Sequence, residues 1–222
     1  RDIINPYNQE TIFTVAEGTK EDVERAILAA RRSFEDGEWS LETSEVRGKK
    51  VRAVADKIKE NREELAKLET LDTGKTLEES YADMDDIHNV FMYFAGLADK
   101  DGGEMINSPI PNTESKIVKE PVGVVTQITP WNYPLLQASW KIAPALATGC
   151  SLVMKPSEIT PLTTIRVFEL MEEVGFPKGT INLVLGAGSE VGDVMSGHEE
   201  VDLVSFTGGI ETGKHIMKQA AN

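Results

Sequence analysis

The side chains that could perform chemistry in this chain are concentrated in a few short loops of its second half. These loops are 129–133, 155–158, 186–188 and 208–209. Each follows a short run of apolar and β-branched residues. Glycine turns expose backbone N–H groups that suit phosphate oxygens, while carboxylates, amines and amides supply further hydrogen-bonding groups. The loops therefore predict a site for a polar ligand.

Asn132 lies at the end of the first loop, two residues before Pro134, which suits the first turn of a helix. Its side-chain amide could donate a hydrogen bond to an oxygen that acquires negative charge, a role worth about 3 kcal/mol when the donor is preorganised. The alternative is that Asn132 only caps the helix.

The second loop reads Lys155-Pro156-Ser157-Glu158. A carboxylate at this place can accept hydrogen bonds from both hydroxyls of an adenosine ribose, and a lysine can donate to the same sugar. The carboxylate would also repel a 2'-phosphate, so it favours NAD over NADP. The alternative is that Ser157 and Glu158 cap the helix that follows.

The glycine turns contain two partial matches to phosphate-binding motifs. Gly186-Ala187-Gly188 resembles a dinucleotide fingerprint, but Gly192 has the wrong spacing, so a tight turn is the alternative. Gly208, Gly213 and Lys214 match a P-loop until His215, where a Ser or Thr should bind magnesium. We therefore reject a P-loop enzyme here.

A third glycine motif, Asp72-Thr73-Gly74-Lys75-Thr76, also fails as a P-loop, because Glu69 stands where the earlier glycine is required.

Composition excludes several classes of protein. The formal charge of −14 over 222 residues opposes binding to nucleic acid or anionic membranes. Cys150 is the single cysteine, which excludes an internal disulfide and a cysteine-based zinc site, and we expect it to be a buried structural thiol. No basic leader or membrane-length apolar run is present, so we expect a cytoplasmic protein.

The first half of the chain predicts helices. Thr19 and Asp22 form a capping-box pattern before apolar residues at helical spacing, and further apolar periods follow, the last over 76–97. The Gly/Pro-rich segment Asp101–Pro111 is predicted to be a connection.

The second half alternates strands with helices. Strands are predicted at 123–129, 151–155, 181–185 and 203–207, and helices at 134–146, 161–174, 190–196 and 208–220. This order predicts an α/β fold, a doubly wound Rossmann-like parallel sheet over 115–222, preceded by a helical region over 1–114. Ligands bind beyond the carboxyl ends of the strands in such sheets.

Three motifs, at these separations and in this order, resemble the aldehyde dehydrogenase superfamily, and in detail they are most similar to bacterial betaine aldehyde dehydrogenases. They are Pro130-Trp131-Asn132-Tyr133-Pro134, Lys155-Pro156-Ser157-Glu158 and Phe206-Thr207-Gly208-Gly209. The likeness extends over essentially the whole chain, including Asn5-Pro6 and residues 71–75. It implies oxidation of an aldehyde to its acid with NAD.

The resemblance also implies the residues that contact the coenzyme. Gly209 stands where many relatives have serine, which removes one hydroxyl donor but leaves the backbone donors. The implied coenzyme contacts are Ile128, Thr129, Pro130, Trp131, Lys155, Pro156, Ser157, Glu158, Gly188, Gly208, Gly209 and Thr212.

The residue that matches Asn132 helps to form the oxyanion hole in the family, and the one that matches Lys141 is an accessory proton-relay group in the betaine enzymes. A surface lysine is the alternative for Lys141. A monovalent cation, such as potassium, would lie near Asp72 and the backbone of Ile4 and Ile159.

The aromatic pair Tyr133 and Trp140 suggests the substrate. A spacing of seven residues brings two rings to one face of a helix, where they could flank a quaternary ammonium by cation–π attraction of about 0.5–2 kcal/mol per contact. With the resemblance, this predicts betaine aldehyde as substrate and the osmoprotectant glycine betaine as product. The alternative is that both rings pack in the core.

The family's nucleophilic cysteine and general-base glutamate would lie beyond Asn222, as would the catalytic domain and the oligomerisation segment. We therefore expect this chain to be inactive alone and the full-length protein to be a homo-oligomer. The competing hypothesis is a stand-alone nucleotide-binding or interaction module without catalysis.

Overall fold

The computed structural model describes residues 1–100 and 102–221, which form eight strands, eight α-helices and a π-helical turn at Gly188–Gly192. The strands are β1 (Asp2–Ile4), β2 (Thr11–Thr14), β3 (Glu104–Asn107), β4 (Glu114–Ile117), β5 (Val124–Ile128), β6 (Ser151–Lys155), β7 (Ile181–Leu183) and β8 (Leu203–Phe206). The helices are α1 (Lys20–Asp36), α2 (Ser44–Glu60), α3 (Arg62–Thr73), α4 (Leu77–Leu97), α5 (Pro134–Thr148), α6 (Leu162–Val174), α7 (Asp193–Gly197) and α8 (Ile210–Gln219).

Four parallel strands form the central sheet in the order β7-β6-β5-β8. Counted within the sheet this is 3-2-1-4, the order of the first four strands of a dinucleotide-binding fold. The chain builds outward from β5 through β6 to β7 and then returns to the other edge of β5. The predicted α/β fold with a parallel sheet is confirmed.

Each face of the sheet carries its own hydrophobic core, because successive side chains of a strand point to opposite faces. Val125 belongs to a core shared with α2, α4, α5 and α6. Its neighbour Val124 belongs to a core shared with α1, α7 and α8. Helices therefore cover both faces, as the doubly wound prediction requires.

The predicted start of α1 is confirmed. The Thr19 hydroxyl accepts from the Asp22 backbone N–H at 3.3 Å, and the Thr19 N–H donates to the Asp22 carboxylate at 2.8 Å. Thr76 and Glu79 repeat this capping box at the start of α4. Each box satisfies N–H groups that the first turn of a helix leaves without partners.

Two antiparallel hairpins correct the sequence analysis. β1 pairs with β2, and β3 pairs with β4. The segment predicted as a connection therefore contains β3, and the division after residue 114 falls at the start of β4; Asp101 itself lies outside the described residues. These strands are short and almost entirely exposed, so burial imposes no alternation of apolar residues for a pattern to detect.

Several boundaries also move. The strand predicted to reach residue 185 ends at Leu183, and the helix predicted from Gly208 begins at Ile210. The helix predicted over 190–196 is a π-helical turn followed by α7. Shifts of one or two residues are ordinary at element ends, where backbone pairing rather than side-chain pattern sets the limit.

The Gly123→Ala substitution is predicted to destabilise the fold by at least about 2 kcal/mol. Gly123 has φ +128°, and a Cβ there would collide with the Asp202 carboxylate. That carboxylate cannot move freely, because it accepts from the Val124 N–H at 2.7 Å and pairs with Arg31 at 2.6 Å. Thermal unfolding of the chain measures the effect.

The matched control is Gly96→Ala, since a Cβ at this helical glycine meets nothing within 4 Å. Alanine favours a helix interior over glycine by about 1 kcal/mol, so this variant should unfold at the wild-type temperature or above it. Equal losses in both variants would show that Asp202 is not held as described.

Candidate functional site

A cleft of about 440 Å³ lies where the carboxyl ends of the parallel strands meet. Ile128 ends β5, Lys155 ends β6, Gly188 follows β7, and Thr212 lies in the helix after β8, and all four line the cleft. The structure thus brings together one predicted residue from each strand end. A larger cavity of about 600 Å³ between α2, α4 and α5 contains none of these residues.

The same cleft contains residues that sequence reasoning missed. His215 of α8 and Asp193 of α7 face each other, with His215 Nε2 2.8 Å from Asp193 Oδ1. Ser189 and Glu211 also line the space. Sequence analysis noted His215 only because it breaks a P-loop pattern. Asp193 lies 22 residues earlier, and no local sequence pattern predicts that the two side chains meet.

Lys155 lines this cleft and forms an ion pair with Glu158, which lines a separate small pocket with Pro156 and Leu185. The Lys155 amine, on a side chain only 3% exposed, donates to the Pro156 carbonyl at 3.0 Å and to Glu158 at 3.3 Å. Burial lowers the pKa of Lys155, and the Glu158 carboxylate partly opposes that shift. The Glu158 side chain is one-third exposed, so its remaining oxygen can accept from a ligand.

The alternative that Ser157 and Glu158 cap α6 is wrong. The capping position is Pro161, which makes no side-chain cap hydrogen bond. The first N–H of the helix, that of Leu162, instead donates to the Asp72 carboxylate at 2.8 Å. Ser157 and Glu158 are therefore not needed to begin the helix.

The loop after β5 is held by backbone contacts on two sides. The Thr129 N–H donates to the Lys155 carbonyl at 3.2 Å, which continues the pairing of β5 with β6 by one residue. The Trp131 carbonyl accepts from the Thr160 hydroxyl at 3.1 Å. The loop, including the half-buried Pro130, is thus held against the end of β6 and against the segment before α6.

Asn132 is exposed on this loop and does not cap α5. The capping residue is Tyr133, again without a side-chain cap hydrogen bond. The capping alternative for Asn132 is therefore wrong, and its amide remains available to a ligand. Pro134 occupies the first turn of α5 as predicted.

Lys141 is half-buried, unlike the fully exposed surface lysine of the alternative interpretation. Its amine donates to the Thr207 hydroxyl at 2.7 Å, and burial lowers its pKa. The bond joins the middle of α5 to the residue after β8, directly before the glycine turn. A buried amine with a lowered pKa loses its proton more readily than an exposed lysine does.

The turn after β8 has the form expected of an anion-binding helix start. Gly208 lies against the Phe206 ring, where a Cβ would approach the ring to 2.5 Å, whereas a Cβ at Gly209 would meet nothing within 4 Å. Gly209 is the N-cap residue of α8 and makes no side-chain cap hydrogen bond. The first backbone N–H groups of α8 therefore have no capping side chain as a partner. Lys214 pairs with Glu211 on the exposed surface, which agrees with the rejection of a P-loop.

Tyr133 and Trp140 are 41% and 51% exposed, so the alternative that they pack in the core is wrong. Trp140 lines a shallow cleft with Asp86 and Tyr93. The Tyr133 ring lies under the amine of Lys75, 4.3 Å from the ring centroid.

Asp72 is buried at the end of α3 and uses only one carboxylate oxygen. Oδ2 accepts from Leu162, whereas Oδ1 has no partner among the described residues. Burial raises the pKa of Asp72 from 3.8 to about 7. Ile159 is near in the chain to Leu162, and Gly74, two residues after Asp72, packs against Pro6, two residues after Ile4.

Other features carry no site. Cys150 is buried directly before β6, which confirms the structural interpretation. In the described part of the chain no group of three His, Cys, Asp or Glu side chains could hold a metal ion. No helix in residues 1–100 or 102–221 has the length and apolar character needed to cross a membrane.

Comparison with known proteins agrees with these observations. The model of the aldehyde dehydrogenase family matches residues 1–222. Betaine aldehyde dehydrogenase from Bacillus subtilis (strain 168) is 68% identical over 221 residues, which cover 100% of this chain and 45% of that protein. Aminoaldehyde dehydrogenase 2 from Zea mays is 48% identical, over 99% of this chain and 44% of its own length.

The fold is also that of a solved structure. Betaine aldehyde dehydrogenase from Staphylococcus aureus, crystallised in complex with NAD+, is 92% identical with a TM-score of 0.99, over 100% of this chain and 44% of that one. The chain therefore spans less than half the length of the relatives that it matches.

The Asp72→Asn substitution is predicted to remove a pH dependence of stability. The folded carboxyl keeps its proton up to about pH 7, whereas the unfolded one loses it near 3.8. Folding therefore takes up a proton between these values, and the free energy of unfolding falls as pH rises through this window. An asparagine side chain can still accept the hydrogen bond from the Leu162 N–H. Because it has no carboxyl group to titrate, the variant should not lose stability as pH rises through this window.

Thermal unfolding at pH 5 to 8, with Tris chloride as the only salt, measures the effect. The midpoint temperature of unfolding of Asp72→Asn should increase relative to that of the wild type as pH rises. Asp85→Asn is the control, because Asp85 pairs with Arg62 on the surface and its pKa is lowered. Parallel curves for wild type and Asp72→Asn would contradict the prediction.

Proposed function

The chain belongs to the aldehyde dehydrogenase family, and we propose that it forms the coenzyme-binding part of an enzyme that oxidises betaine aldehyde to glycine betaine with NAD. The observation that carries the proposal is the shared edge of the sheet. There Lys155 and Glu158, the Gly208–Gly209 turn and the Asn132 loop follow neighbouring parallel strands.

The Lys155–Glu158 pair fits the ribose of adenosine. Glu158 has one oxygen engaged by Lys155 at 3.3 Å and is partly exposed, so it can accept from the two sugar hydroxyls. The Lys155 amine holds the Glu158 carboxylate in place, and the amine itself could donate a hydrogen bond to the same sugar. The same negative charge would repel a 2'-phosphate, which is the physical basis for a preference for NAD.

The glycine turn fits a diphosphate. Gly209 begins α8, whose ten residues align their peptide dipoles and leave the first N–H groups directed at the turn. The absence of a Cβ at Gly209, where one would meet nothing within 4 Å, lets an anion approach this backbone closely, whereas the Phe206 ring packs against Gly208. NAD, when bound, supplies the acceptor for the hydride that leaves the aldehyde carbon.

Asn132 and Lys141 would act on the substrate side. Asn132 offers an exposed side-chain amide on the loop after β5, which suits the oxyanion of a tetrahedral intermediate. Lys141, with a pKa lowered by burial, can take up or release a proton through its contact with Thr207 at 2.7 Å.

A monovalent cation at Asp72 is part of the proposal. The unpartnered Oδ1 of a buried carboxylate supports it, because such an atom normally has a hydrogen-bond donor or an ion as its partner. The nearby backbone of Ile4 and Ile159 would supply carbonyl oxygens. One carboxylate with neutral carbonyl ligands suits a singly charged ion such as potassium.

The Glu158→Gln substitution is predicted to weaken binding of NAD to this chain by about tenfold or more, because a hydrogen bond to a charged group is worth roughly 1.5–3 kcal/mol. It should weaken NADP less, since the repulsion of the 2'-phosphate disappears with the charge. Calorimetric titration of both coenzymes measures the two effects.

Glu172→Gln is the control, because this exposed glutamate at the far end of α6 carries the same charge. It should leave both affinities unchanged. No binding of NAD to the wild-type chain, or equal losses in the two variants, would contradict the assignment of Glu158.

The Trp140→Ala substitution in the complete enzyme is predicted to raise KM for betaine aldehyde by about threefold to tenfold, the range of an ordinary cation–π contact. The comparison substrate is the uncharged isostere in which carbon replaces the quaternary nitrogen. Its KM should change much less, because it lacks the positive charge. Equal changes for the two aldehydes would show that Trp140 contributes apolar area only.

A further inference from the structure

Lys75 occupies a buried position that neither the coenzyme nor the oxyanion hole explains. Its side chain is only 11% exposed, and its amine lies 2.6 Å from the Asp83 carboxylate and 3.3 Å from that of Glu69. The same amine lies 4.3 Å from the centroid of the Tyr133 ring, within the range of a cation–π contact.

The local sequence fixes this placement from both sides. Gly74 ends α3 in the left-handed conformation, with φ +79°, and Thr76 begins α4 with a capping box. Lys75 is therefore the single residue between a helix end and a helix cap. Glu69 approaches from α3 and Asp83 from α4, so both helices contribute to holding the amine.

We propose that Lys75 is a positioning residue for the substrate site: its amine, fixed by two buried carboxylates, holds the ring of Tyr133 beside Asn132. The inference rests on the proposed function, and it takes the Tyr133 ring, which the sequence analysis paired with Trp140, as one wall of the ammonium site. Tyr133 needs such a contact, because its ring is 41% exposed and its side chain makes no cap hydrogen bond to α5.

The carboxylates of Glu69 and Asp83 explain how the positive charge of Lys75 can lie close to a site for a quaternary ammonium. A bare lysine on one face of the ring would repel a quaternary ammonium on the other side. Asp83, at 2.6 Å, cancels the charge of Lys75, and Glu69 lies on its other side, bound by the Thr163 hydroxyl at 2.6 Å. The cluster is therefore not positive, and Lys75 can fix the ring without opposing the substrate.

A double-mutant cycle in the complete enzyme tests the proposal. Lys75→Met, Tyr133→Ala and the combined variant are assayed with betaine aldehyde and its carbon isostere. Lys75→Met should raise KM for betaine aldehyde by about threefold to tenfold, with a smaller effect on kcat. In the Tyr133→Ala background the same change should have no further effect, because the ring that Lys75 holds is gone.

Two variants complete the design. Lys75→Arg should restore most of the loss, since a guanidinium also pairs with carboxylates and stacks on rings. Lys67→Met is the matched control, because Lys67 makes an ion pair of the same 2.6 Å length on the exposed side of α3. It should leave both KM values unchanged.

If Lys75→Met does not fold, Asp83→Asn replaces it: this variant keeps the amine and the ring but loosens the contact between them, and it should raise KM only while Tyr133 is present. An equal rise with and without Tyr133 would overturn the proposal and leave Lys75 a purely structural ion pair. A wild-type enzyme that does not oxidise betaine aldehyde would refute the proposed function and, with it, the role of Lys75 in an ammonium site. Additive effects of Lys75→Met and Tyr133→Ala in an active enzyme would refute the role of Lys75 alone.

Discussion

The central strand β5 hydrogen-bonds to a parallel neighbour on each edge and is buried along its whole length, and the rest of the structure depends on this constraint. A strand with no free edge and no solvent-exposed face requires helices above and below the sheet. These helices form the two hydrophobic cores with the sheet. It also requires the chain to leave β5 toward β6 and to return on the other side as β8. The gap between these two directions is the place where the loops after the strands can separate and admit a ligand.

The segment 72–76 shows how the helical layer is fixed to that sheet. Asp72 accepts the first N–H of α6, Gly74 reverses the chain, and Lys75 enters an acidic cluster below Tyr133. Burying several charges in one place is costly unless each has partners, so these contacts have to form together. As a result, the end of α3 fixes both the helix that follows the Lys155–Glu158 loop and the aromatic residue Tyr133 before α5.

Sequence analysis predicted the elements whose burial requires a pattern of apolar residues. It missed the contacts between residues that are distant in the sequence and meet only in the folded chain. The strands of the sheet and the loops after them were predicted, because a fully buried strand must be apolar and must end where polar residues begin. The exposed hairpins left no such pattern. The glycine motif around Lys75 looked like a failed P-loop, because its partners Glu69, Asp83 and Tyr133 are brought together only by folding. The contact between His215 and Asp193 was missed for the same reason.

The formal charge of −14 bears on the proposed coenzyme site, because the dinucleotide that it would admit carries a negatively charged diphosphate. Charges farther away than about 8 Å are largely screened at physiological salt, so the local arrangement decides the potential in the cleft. The buried amine of Lys155 and the half-buried amine of Lys141 lie near the strand ends, and the start of α8 adds the partial positive charge of a helix. Glu158 offsets the charge of Lys155, and Asp193 and Glu211 line the same cleft. Because both lysine amines are less exposed than the Asp193 and Glu211 carboxylates, solvent screens their fields less. An acidic exterior is therefore compatible with the diphosphate site that we propose at the start of α8.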